Sequence, residues 1–200
     1  MKVLISCEES QTVCKAFRNQ GHEAYSNDII ECSGGHFEWH LQMDAFEAIK
    51  LKNWDLMIAH PPCTFLASSG ARWLYDKRYT NRIKDREKAA EFFMKLINCN
   101  IPKIAIENPI GYMSTYYRKP DQIIQPYWFG EEKQKSTCLW LKNLPKLFPT
   151  NIVDKGKMHI TKSGKKIPEW YSLLINNKDR QKIRSKTFQG IADAMASQWG

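Results

Sequence analysis

Two chemically reactive side chains follow apolar runs that end at prolines. Cys63 comes directly after two prolines in DLMIAHPPCTF, residues 55 to 65, and Glu107 precedes Pro109 in IENP. Prolines fix the backbone and remove hydrogen-bond donors where a strand ends, so the next side chain is held at an opening. A thiolate can attack a substrate, and a carboxyl group can move a proton. A lone cysteine is more often a packing residue and a lone glutamate a surface acid, so a catalytic pair is indicated only because both occur together.

The surrounding sequence alternates between strand and helix patterns. Apolar, β-rich runs and runs with apolar residues at helical spacing follow one another along the chain. This alternation indicates an α/β fold with a mostly parallel sheet covered by helices on both faces. The predicted strands are KVLIS, HEAYSNDI, WDLMIAH, IPKIAIENP and STCLWL, and the predicted helices are SQTVCKAFRNQG, DAFEAIKL and REKAAEFFMKLINCN, with GGHFEWH as a loop.

Polar residues follow most of the predicted strands. In open α/β sheets, ligands bind at the carboxyl ends of the strands. We therefore expect these residues to form one site along a single rim of the sheet. They are Ser6 to Ser10, Asn27 to Asp28, Asp44, His60 to Cys63 and Glu107 to Pro109.

The composition is that of a globular protein with one main domain. The 200 residues are 42% hydrophobic and 26% charged, which allows one sizeable core and a small appendage. No stretch approaches the roughly eighteen consecutive apolar residues of a membrane span, and MKVLISCEES turns acidic too early for a signal peptide. The six cysteines show no CxxC pairing, which indicates reduced thiols without a bound metal. We expect a soluble, cytoplasmic protein that binds neither membrane nor metal.

The net charge of +9 is concentrated in one part of the chain. Residues 130 to 186 carry 14 lysines and arginines against 5 acidic residues, whereas residues 1 to 129 carry 16 against 15. Such a segment is either a solvated surface or a surface that binds phosphates. Aromatic side chains within it favour nucleic acid, because bases stack on them. They are Trp140, Phe148, Trp170 and Tyr171.

The two motifs and their order resemble those of the cytosine-5 DNA methyltransferase family. PPCTFLASSG, an apolar helix and IPKIAIENPIGYM follow the family's order of Pro-Cys loop, helix, Pro-Lys, strand and Glu-Asn-Val. EKQKSTCLWL and TFQGIADAMASQW resemble later family elements more weakly. The resemblance covers most of residues 1 to 145 and 187 to 200, and it is strongest from 55 to 113.

The resemblance implies a small, phage- or bacterial-type member of that family. Its fold would be a Rossmann-like S-adenosylmethionine-dependent methyltransferase fold, in a bacterial or phage-infected cell. Residues 1–145 with 187–200 would form the catalytic domain. Residues 146–186 would be a minimal basic substrate-recognition segment, where family members usually carry a much longer target-recognition domain.

The resemblance also implies roles for the two reactive side chains. Cys63 would add to carbon 6 of cytosine as a thiolate, and Glu107 would contact ring nitrogen 3 and the exocyclic amine. Carbon 5 would then take a methyl group from S-adenosylmethionine. Pro62 and Asn108, which belong to the same motifs, complete the predicted catalytic set. A cytosine in duplex DNA would have to be flipped out of its stack.

The cofactor residues implied by the resemblance lie in the strand-end loops. Asp28 would bind the ribose hydroxyls and Asp44 the adenine amine. The first turn departs from the family, because it reads ISCEES where the family has closely spaced glycines that let the backbone approach a ligand. The other predicted cofactor residues are Ser6, Cys7, Glu8, His60 and Pro61.

Residues that would contact DNA are implied in three places. Ser68 and Arg72 belong to the segment from Thr64 to Arg86, which resembles the family's mobile catalytic loop. The alternative interpretation of this segment is a solvated insertion. After Gln134, the family's arginines are replaced by Lys135, Ser136 and Thr137, so base recognition must differ. In the basic segment, the lysines would supply mainly non-specific phosphate affinity; they are Lys162, Lys165 and Lys166.

Several alternatives stay open from the sequence alone. A zinc-dependent cytidine deaminase has a similar HxE and PCxxC order, but Leu66 stands where its second cysteine would be. An amino-group DNA methyltransferase also has a strand ending in Pro-Pro, but it requires an aromatic ring where Cys63 stands. The remaining alternatives are the same chemistry on RNA or a free cytosine nucleotide, and a catalytically inactive relative that binds nucleic acid.

Overall fold

The computed structural model describes residues 1–76, 78 and 80–200. Lys77 and Tyr79, both inside the predicted catalytic loop, lie outside the described residues. The strands are β1 (Lys2–Ser6), β2 (Glu23–Asp28), β3 (His40–Gln42), β4 (Leu56–Ala59), β5 (Lys103–Pro109), β6 (Gln122–Ile124), β7 (Thr137–Lys142), β8 (Met158–Ile160) and β9 (Lys166–Pro168). The helices are α1 (Thr12–Asn19), α2 (Ala45–Lys50), α3 (Arg82–Ile97), α4 (Met113–Tyr116), α5 (Glu169–Ser172), α6 (Arg180–Ser185) and α7 (Gln189–Trp199).

A seven-stranded, mostly parallel sheet carries the fold, as the alternating pattern predicts. The strand order is β3-β2-β1-β4-β5-β7-β6. The first five strands in this order run parallel, whereas β7 runs antiparallel to both β5 and β6. The registers Ser6↔Ala59 and Ala59↔Ile106 align the carboxyl ends of the three central strands. The loops that follow β1 and β4 therefore begin at the same rim, beside the last residues of β5.

Two hydrophobic layers cover the two faces of this sheet. Side chains alternate between the faces of a strand, so Val3 and Ile5 enter one layer and Leu4 enters the other. On the first face, α1 and α7 pack together, with Phe17 and Trp199 buried between sheet and helices. On the second face, α3 packs its apolar stripe on the sheet. Full burial of one large side chain stabilises the fold by about 1.5–3 kcal/mol, so these layers dominate stability.

Short elements differ from the sequence prediction. The predicted loop GGHFEWH ends in the edge strand β3, and the predicted loop from Thr64 to Arg86 is shorter because α3 already begins at Arg82. A two-turn 3-10 helix at Ser68–Trp73 lies within that loop. Strands of three residues have too few positions to show an alternating pattern, which explains why β3, β6, β8 and β9 carry no clear sequence signal.

The later part of the basic segment, after β7, forms a small separate sheet. β8 and β9 pair as an antiparallel hairpin, followed by the short helices α5 and α6. Residues just before the hairpin still contact the main body. Leu147 is buried in the core, and Asn151 forms an isolated parallel β-bridge with Phe129. Trp140 is fully buried in the core, so the expectation that it stacks on bases is wrong. Among the described residues, no helix has the length and apolarity needed to cross a membrane.

Candidate active site

Cys63 and Glu107 lie at the same rim of the sheet, as the strand-end rule predicts. Cys63 follows β4, and Glu107 is near the end of the neighbouring parallel strand β5. The Cys63 side chain is exposed, whereas the Glu107 side chain is only 14% exposed. Burial raises the pKa of Cys63 and the negative charge of Glu107 raises it further, so the thiol lies within electrostatic range of the carboxylate. We refer to these two residues and their charged neighbours as the Cys63–Glu107 site.

The loops that carry the two residues are bonded to each other. The Asn108 side chain is buried and donates a hydrogen bond of 2.9 Å to the carbonyl oxygen of Pro61. Further along, Tyr112 N–H donates to the Leu66 carbonyl oxygen at 2.7 Å, and a Cβ added at Gly111 would lie 2.0 Å from the same oxygen. Only glycine allows this close approach. The geometry of the Cys63 loop is therefore fixed by the loop after Glu107.

Glu107 is held as a carboxylate by its neighbours. His60 Nδ1 lies 3.1 Å from Glu107 Oε2, and the His60 side chain is only 9% exposed. Burial by itself would raise the pKa of Glu107. The hydrogen bond from His60 and the positive charges of Lys135 and His60 outweigh burial, so the pKa of Glu107 is lowered from its ordinary value.

Cys63 is held mainly as a neutral thiol. Partial desolvation by the surrounding loops is the largest influence and raises its pKa, and the Glu107 charge raises it further. The positive charges of Lys135 and Arg184 lower the pKa of Cys63, but they do not fully compensate. Lys135 Nζ is fixed nearby, because it donates to the carbonyl oxygen of Arg184 at 2.9 Å. Lys135 therefore acts on both members of the site.

An apolar cavity of about 450 Å³ opens at the ends of β1 and β2, next to this site. Five of the residues expected at this rim line it: Cys7, Asn27, Asp28, Asp44 and Pro62. Asp44 also caps α2, since its Oδ1 accepts from Phe46 N–H at 2.8 Å. Pro62 joins the cavity to the Cys63 loop. A ligand in the cavity therefore reaches the residue that directly precedes the thiol.

Helix α3 supplies a part of the cavity wall that was not predicted from the sequence. Asp85, Lys88, Ala89 and Phe92 line the cavity from this helix, and Phe65 lines it from the Cys63 loop. The four helix positions follow the spacing i, i+3, i+4 and i+7, which is one face of a helix. That spacing was present in the sequence. Without the fold, however, it is indistinguishable from a face that packs on the sheet.

The first strand-helix turn adopts its conformation without glycine. Cys7 has φ 60°, the left-handed conformation that glycine adopts most easily. Ser6 is buried, and its Oγ donates to Asn27 Oδ1 at 3.3 Å. Burial raises the pKa of Cys7 to about 12, against a smaller lowering by the Ser6 hydrogen bond, so this second cysteine is an unreactive thiol.

Glu8 is buried beneath the same turn and does not line the cavity. Its carboxylate accepts hydrogen bonds from Val13 N–H at 2.7 Å and Cys14 N–H at 3.2 Å, at the start of α1. Burial raises the pKa of Glu8, against the lowering by the His60 charge and by these two bonds. The position explains how a turn without closely spaced glycines still begins a helix, because Glu8 satisfies backbone donors that would otherwise be unpaired.

The predicted nucleic-acid residues fall into three groups. Lys135 belongs to the Cys63–Glu107 site, and the neighbouring Gln134 side chain donates to Met158 Sδ at 3.1 Å. Ser68 and Arg72 are exposed in the 3-10 helix that follows Cys63. The other three are exposed on the small β8–β9 sheet: Lys162, Lys165 and Lys166.

The residues that resemble a zinc-deaminase motif make other contacts. His36 Nδ1 lies 3.1 Å from Glu38 Oε1, and the His36 ring stacks on Trp39 with 3.8 Å between ring centroids. Within residues 1–76, 78 and 80–200, no group of three or more His, Cys, Asp or Glu side chains has the arrangement of a metal site.

Comparison with known proteins identifies the architecture. No protein-family model matches the sequence, and no curated protein sequence matches it. The structure is similar to the methyltransferase EhMeth of Entamoeba histolytica, with 14% identity and a TM-score of 0.50 over 88% of this chain and 65% of that one. The fold is a Rossmann-like methyltransferase fold.

Two further solved structures show weaker likeness. One is described as a DNA modification methyltransferase encoded within a prophage of E. coli, with 14% identity and a TM-score of 0.49 over 77% of this chain and 52% of that one. The other is the Dnmt2 methyltransferase of S. pombe, with 18% identity and a TM-score of 0.47 over 73% and 52%. The chain thus spans between about half and two thirds of the length of the structures it matches.

The opposing charges around Cys63 predict how its alkylation rate depends on pH and on the neighbouring charged residues. Because the pKa of Cys63 lies above its ordinary value of 9.0, alkylation by iodoacetamide should accelerate as the pH rises to that value and beyond. At about pH 8, Lys135→Met should slow the reaction roughly two- to tenfold by removing a positive charge, and Glu107→Gln should accelerate it by a similar factor. Mass spectrometry of the peptide that contains Cys63 measures both rates.

Cys99 provides the internal control for this measurement. Burial raises its pKa and the Lys142 charge lowers it, and neither Lys135 nor Glu107 contributes. Its alkylation rate should be the same in all three proteins. Equal Cys63 rates in all three would contradict the proposed electrostatic coupling.

The conformation of Cys7 predicts the effect of restoring glycine. Cys7→Gly should leave the free energy of unfolding unchanged or raise it by up to about 1 kcal/mol, because relief of the positive φ offsets the greater freedom of the unfolded chain. Cys7→Val should lower it by about 1–3 kcal/mol, since a β-branched residue is strained at this φ. Urea unfolding measures both, and a larger loss in Cys7→Gly than in Cys7→Val would refute the interpretation.

Proposed function

We propose that the chain is an S-adenosylmethionine-dependent methyltransferase that methylates carbon 5 of cytosine in DNA through a covalent cysteine adduct. The observation that carries the proposal is the pairing of an exposed thiol with a mostly buried carboxylate at the ends of adjacent parallel strands. Cys63 would be the nucleophile and Glu107 the group that binds the cytosine edge. Pro62 and Asn108 would hold the two loops in place.

The cavity beside Cys63 fits the adenosyl part of the cofactor. Its walls are mostly apolar, which suits adenine, and the carboxylates of Asp28 and Asp44 can accept from hydroxyl and amine groups. When bound, S-adenosylmethionine supplies an electrophilic methyl group. We assign Cys7, Asp28 and Asp44 to the cavity wall. Ser6, Glu8, His60 and Pro61 would support the turns on which this wall depends.

The chemistry follows from the two side chains. Cys63 gives its thiol proton to the Glu107 carboxylate and bonds to carbon 6 of cytosine as a thiolate. Glu107 passes that proton to ring nitrogen 3 as the electrons of the 5,6 double bond move to carbon 5. After carbon 5 is methylated, its proton leaves to water. The double bond then re-forms, the bond from sulfur to carbon 6 breaks, and nitrogen 3 returns its proton. Cys63 is thereby regenerated as a thiolate.

Positive charge around the site supports a polyanionic substrate. The charges of Lys135 and Arg184 act on Cys63, and the hydrogen bond that Lys135 Nζ donates to the Arg184 backbone carbonyl oxygen joins the basic segment to the site. In the same segment, the Arg180 and Arg184 guanidinium groups lie 4.9 and 4.5 Å from the centre of the Tyr171 ring. We propose that residues 146–186 bind nucleic-acid phosphates, while residues 1–145 with 187–200 form the catalytic domain. The exposed lysines of the β8–β9 sheet would contribute to this affinity.

The direct test measures where a labelled methyl group is transferred. The protein is incubated with S-adenosylmethionine labelled in its methyl group and, separately, with cytosine-containing duplex DNA, RNA and dCMP. We expect label in DNA, with bisulfite sequencing locating it on cytosine. Cys63→Ser should abolish transfer while leaving cofactor and DNA binding largely intact, because a serine hydroxyl is a much weaker nucleophile.

The matched control is Cys99→Ser, which alters a half-buried cysteine next to α3 and should retain activity. Label in RNA or dCMP alone would assign the same chemistry to another substrate. Label on an exocyclic nitrogen would refute the thiol mechanism. DNA retained in a gel without any label would favour an inactive binding protein.

A further inference from the structure

Helix α6 carries two arginines that pack on one tyrosine. Arg180 and Arg184 are four residues apart, so their side chains leave the same face of the helix. Their guanidinium groups lie 4.9 and 4.5 Å from the centre of the Tyr171 ring, and Arg180 Nη2 donates to the Tyr171 hydroxyl at 2.8 Å. The tyrosine therefore holds both cations in a defined arrangement.

Two hydrogen bonds join this arginine pair to the loop before β7. Lys135 Nζ donates to the backbone carbonyl oxygen of Arg184 at 2.9 Å. Trp170 Nε1, from α5, donates to the Gln134 carbonyl oxygen at 3.2 Å, and the Trp170 ring packs edge-on against Phe188 with 5.8 Å between ring centroids. Both α5 and α6 are therefore attached to residues 134 and 135.

The register of β7 places that loop at the rim that carries Cys63. Thr137 pairs with Pro109, the last residue of β5, so Lys135 lies just beyond the end of that strand. Cys63 follows β4, the parallel neighbour of β5. Burial, the largest influence, raises the pKa of Cys63, whereas the charges of Lys135 and Arg184 lower it. Both cations are therefore within electrostatic range of the thiol.

The cations at this position lack acidic partners. Within the described part of the chain, no carboxylate forms a salt bridge with Lys135, Arg180 or Arg184. Like charges at positions i and i+4 destabilise a helix, so α6 gains from an anion that binds between them. A guanidinium group suits a phosphate best, because its planar fork of donors matches two phosphate oxygens.

We propose that Arg184 binds a phosphate of the target strand, next to the cytosine that enters the Cys63–Glu107 site. Tyr171 and Arg180 hold its guanidinium group in place, and Lys135 supplies the second positive charge. The inference rests on the proposed function and deepens it, because it assigns one phosphate to one residue of the basic segment.

A phosphate bound at this position does more than add affinity. It fixes the strand where the cytosine must leave its stack, so that binding free energy from the backbone offsets the cost of flipping the base. The exposed lysines of the β8–β9 sheet do not act on Cys63. We therefore expect loss of Arg184 to lower kcat as well as DNA affinity, and loss of Lys166 to lower affinity alone.

The first experiment measures the electrostatic potential at Cys63 without nucleic acid. Anionic iodoacetate and neutral iodoacetamide both react with the thiolate, so the ratio of their rates does not depend on the pKa of Cys63. Arg184→Met should lower the rate with iodoacetate relative to iodoacetamide by about two- to fivefold at low salt, and the difference should shrink at about 0.5 M salt. Arg184→Lys, which keeps the charge, should keep the wild-type ratio.

The matched control is Lys182→Met. Lys182 is exposed on the same helix and is not among the charged groups that act on Cys63. Its ratio should equal that of the wild-type protein. A wild-type ratio in Arg184→Met would overturn the anion site. A ratio in Arg184→Lys as low as in Arg184→Met would also overturn it, because the helix rather than the charge would then be responsible.

The second experiment locates the phosphate. It uses the duplex that is methylated in the labelled-methyl experiment, with one phosphate of the target strand at a time replaced by an uncharged methylphosphonate. In the wild-type protein, one replacement next to the methylated cytosine should lower kcat/KM for DNA by about fivefold or more. The same replacement should cause no further loss in Arg184→Met, because the phosphate charge has already lost its partner. Lys182→Met should show the full loss.

The outcomes separate this inference from the proposed function. Losses that add to that of Arg184→Met at every phosphate position would overturn the inference and leave the methyltransferase activity standing. Absence of methyl transfer by the wild-type protein would refute the proposed function. A lowered iodoacetate ratio in Arg184→Met would in that case still support an anion site at Cys63.

Discussion

The electrostatic opposition between Cys63 and Glu107 is the constraint on which the rest of the site depends. In the free protein, Glu107 is favoured as a carboxylate and Cys63 as a neutral thiol. The proposed reaction needs the reverse, a thiolate beside a proton donor. Ionisation of the thiol beside the carboxylate costs free energy, and that cost falls once Glu107 takes a proton. A cytosine edge that binds Glu107 would therefore help to activate Cys63, which links nucleophile activation to the presence of the substrate.

The surrounding elements distribute positive charge so that this exchange is feasible. His60 contacts Glu107 from the end of β4, and Lys135 acts on both reactive groups from the loop before β7. Lys135 is itself fixed by the Arg184 carbonyl oxygen in α6. The basic segment is thus linked to the site by this hydrogen bond as well as by the continuous chain.

The sequence was sufficient for the central architecture because its signals are local. The apolar runs of β4 and β5 and the prolines after them place Cys63 and Glu107 at one rim. The turn at Cys7 and Glu8 was not predictable, since its conformation depends on backbone donors of α1 and on contacts with Asn27. The position of Lys135 follows from the antiparallel pairing of β7 with β5, which no local pattern encodes. The cofactor and DNA roles of individual residues stay predictions.

Covalent trapping tests the central claim most directly. In DNA containing 5-fluorocytosine, carbon 5 carries fluorine instead of hydrogen, so the step that releases the cysteine is blocked after methyl transfer. With S-adenosylmethionine present, the account predicts a denaturation-resistant complex whose only attachment point, by peptide mass spectrometry, is Cys63. Methyl transfer to unmodified cytosine without any such complex, or attachment through another residue, would contradict it.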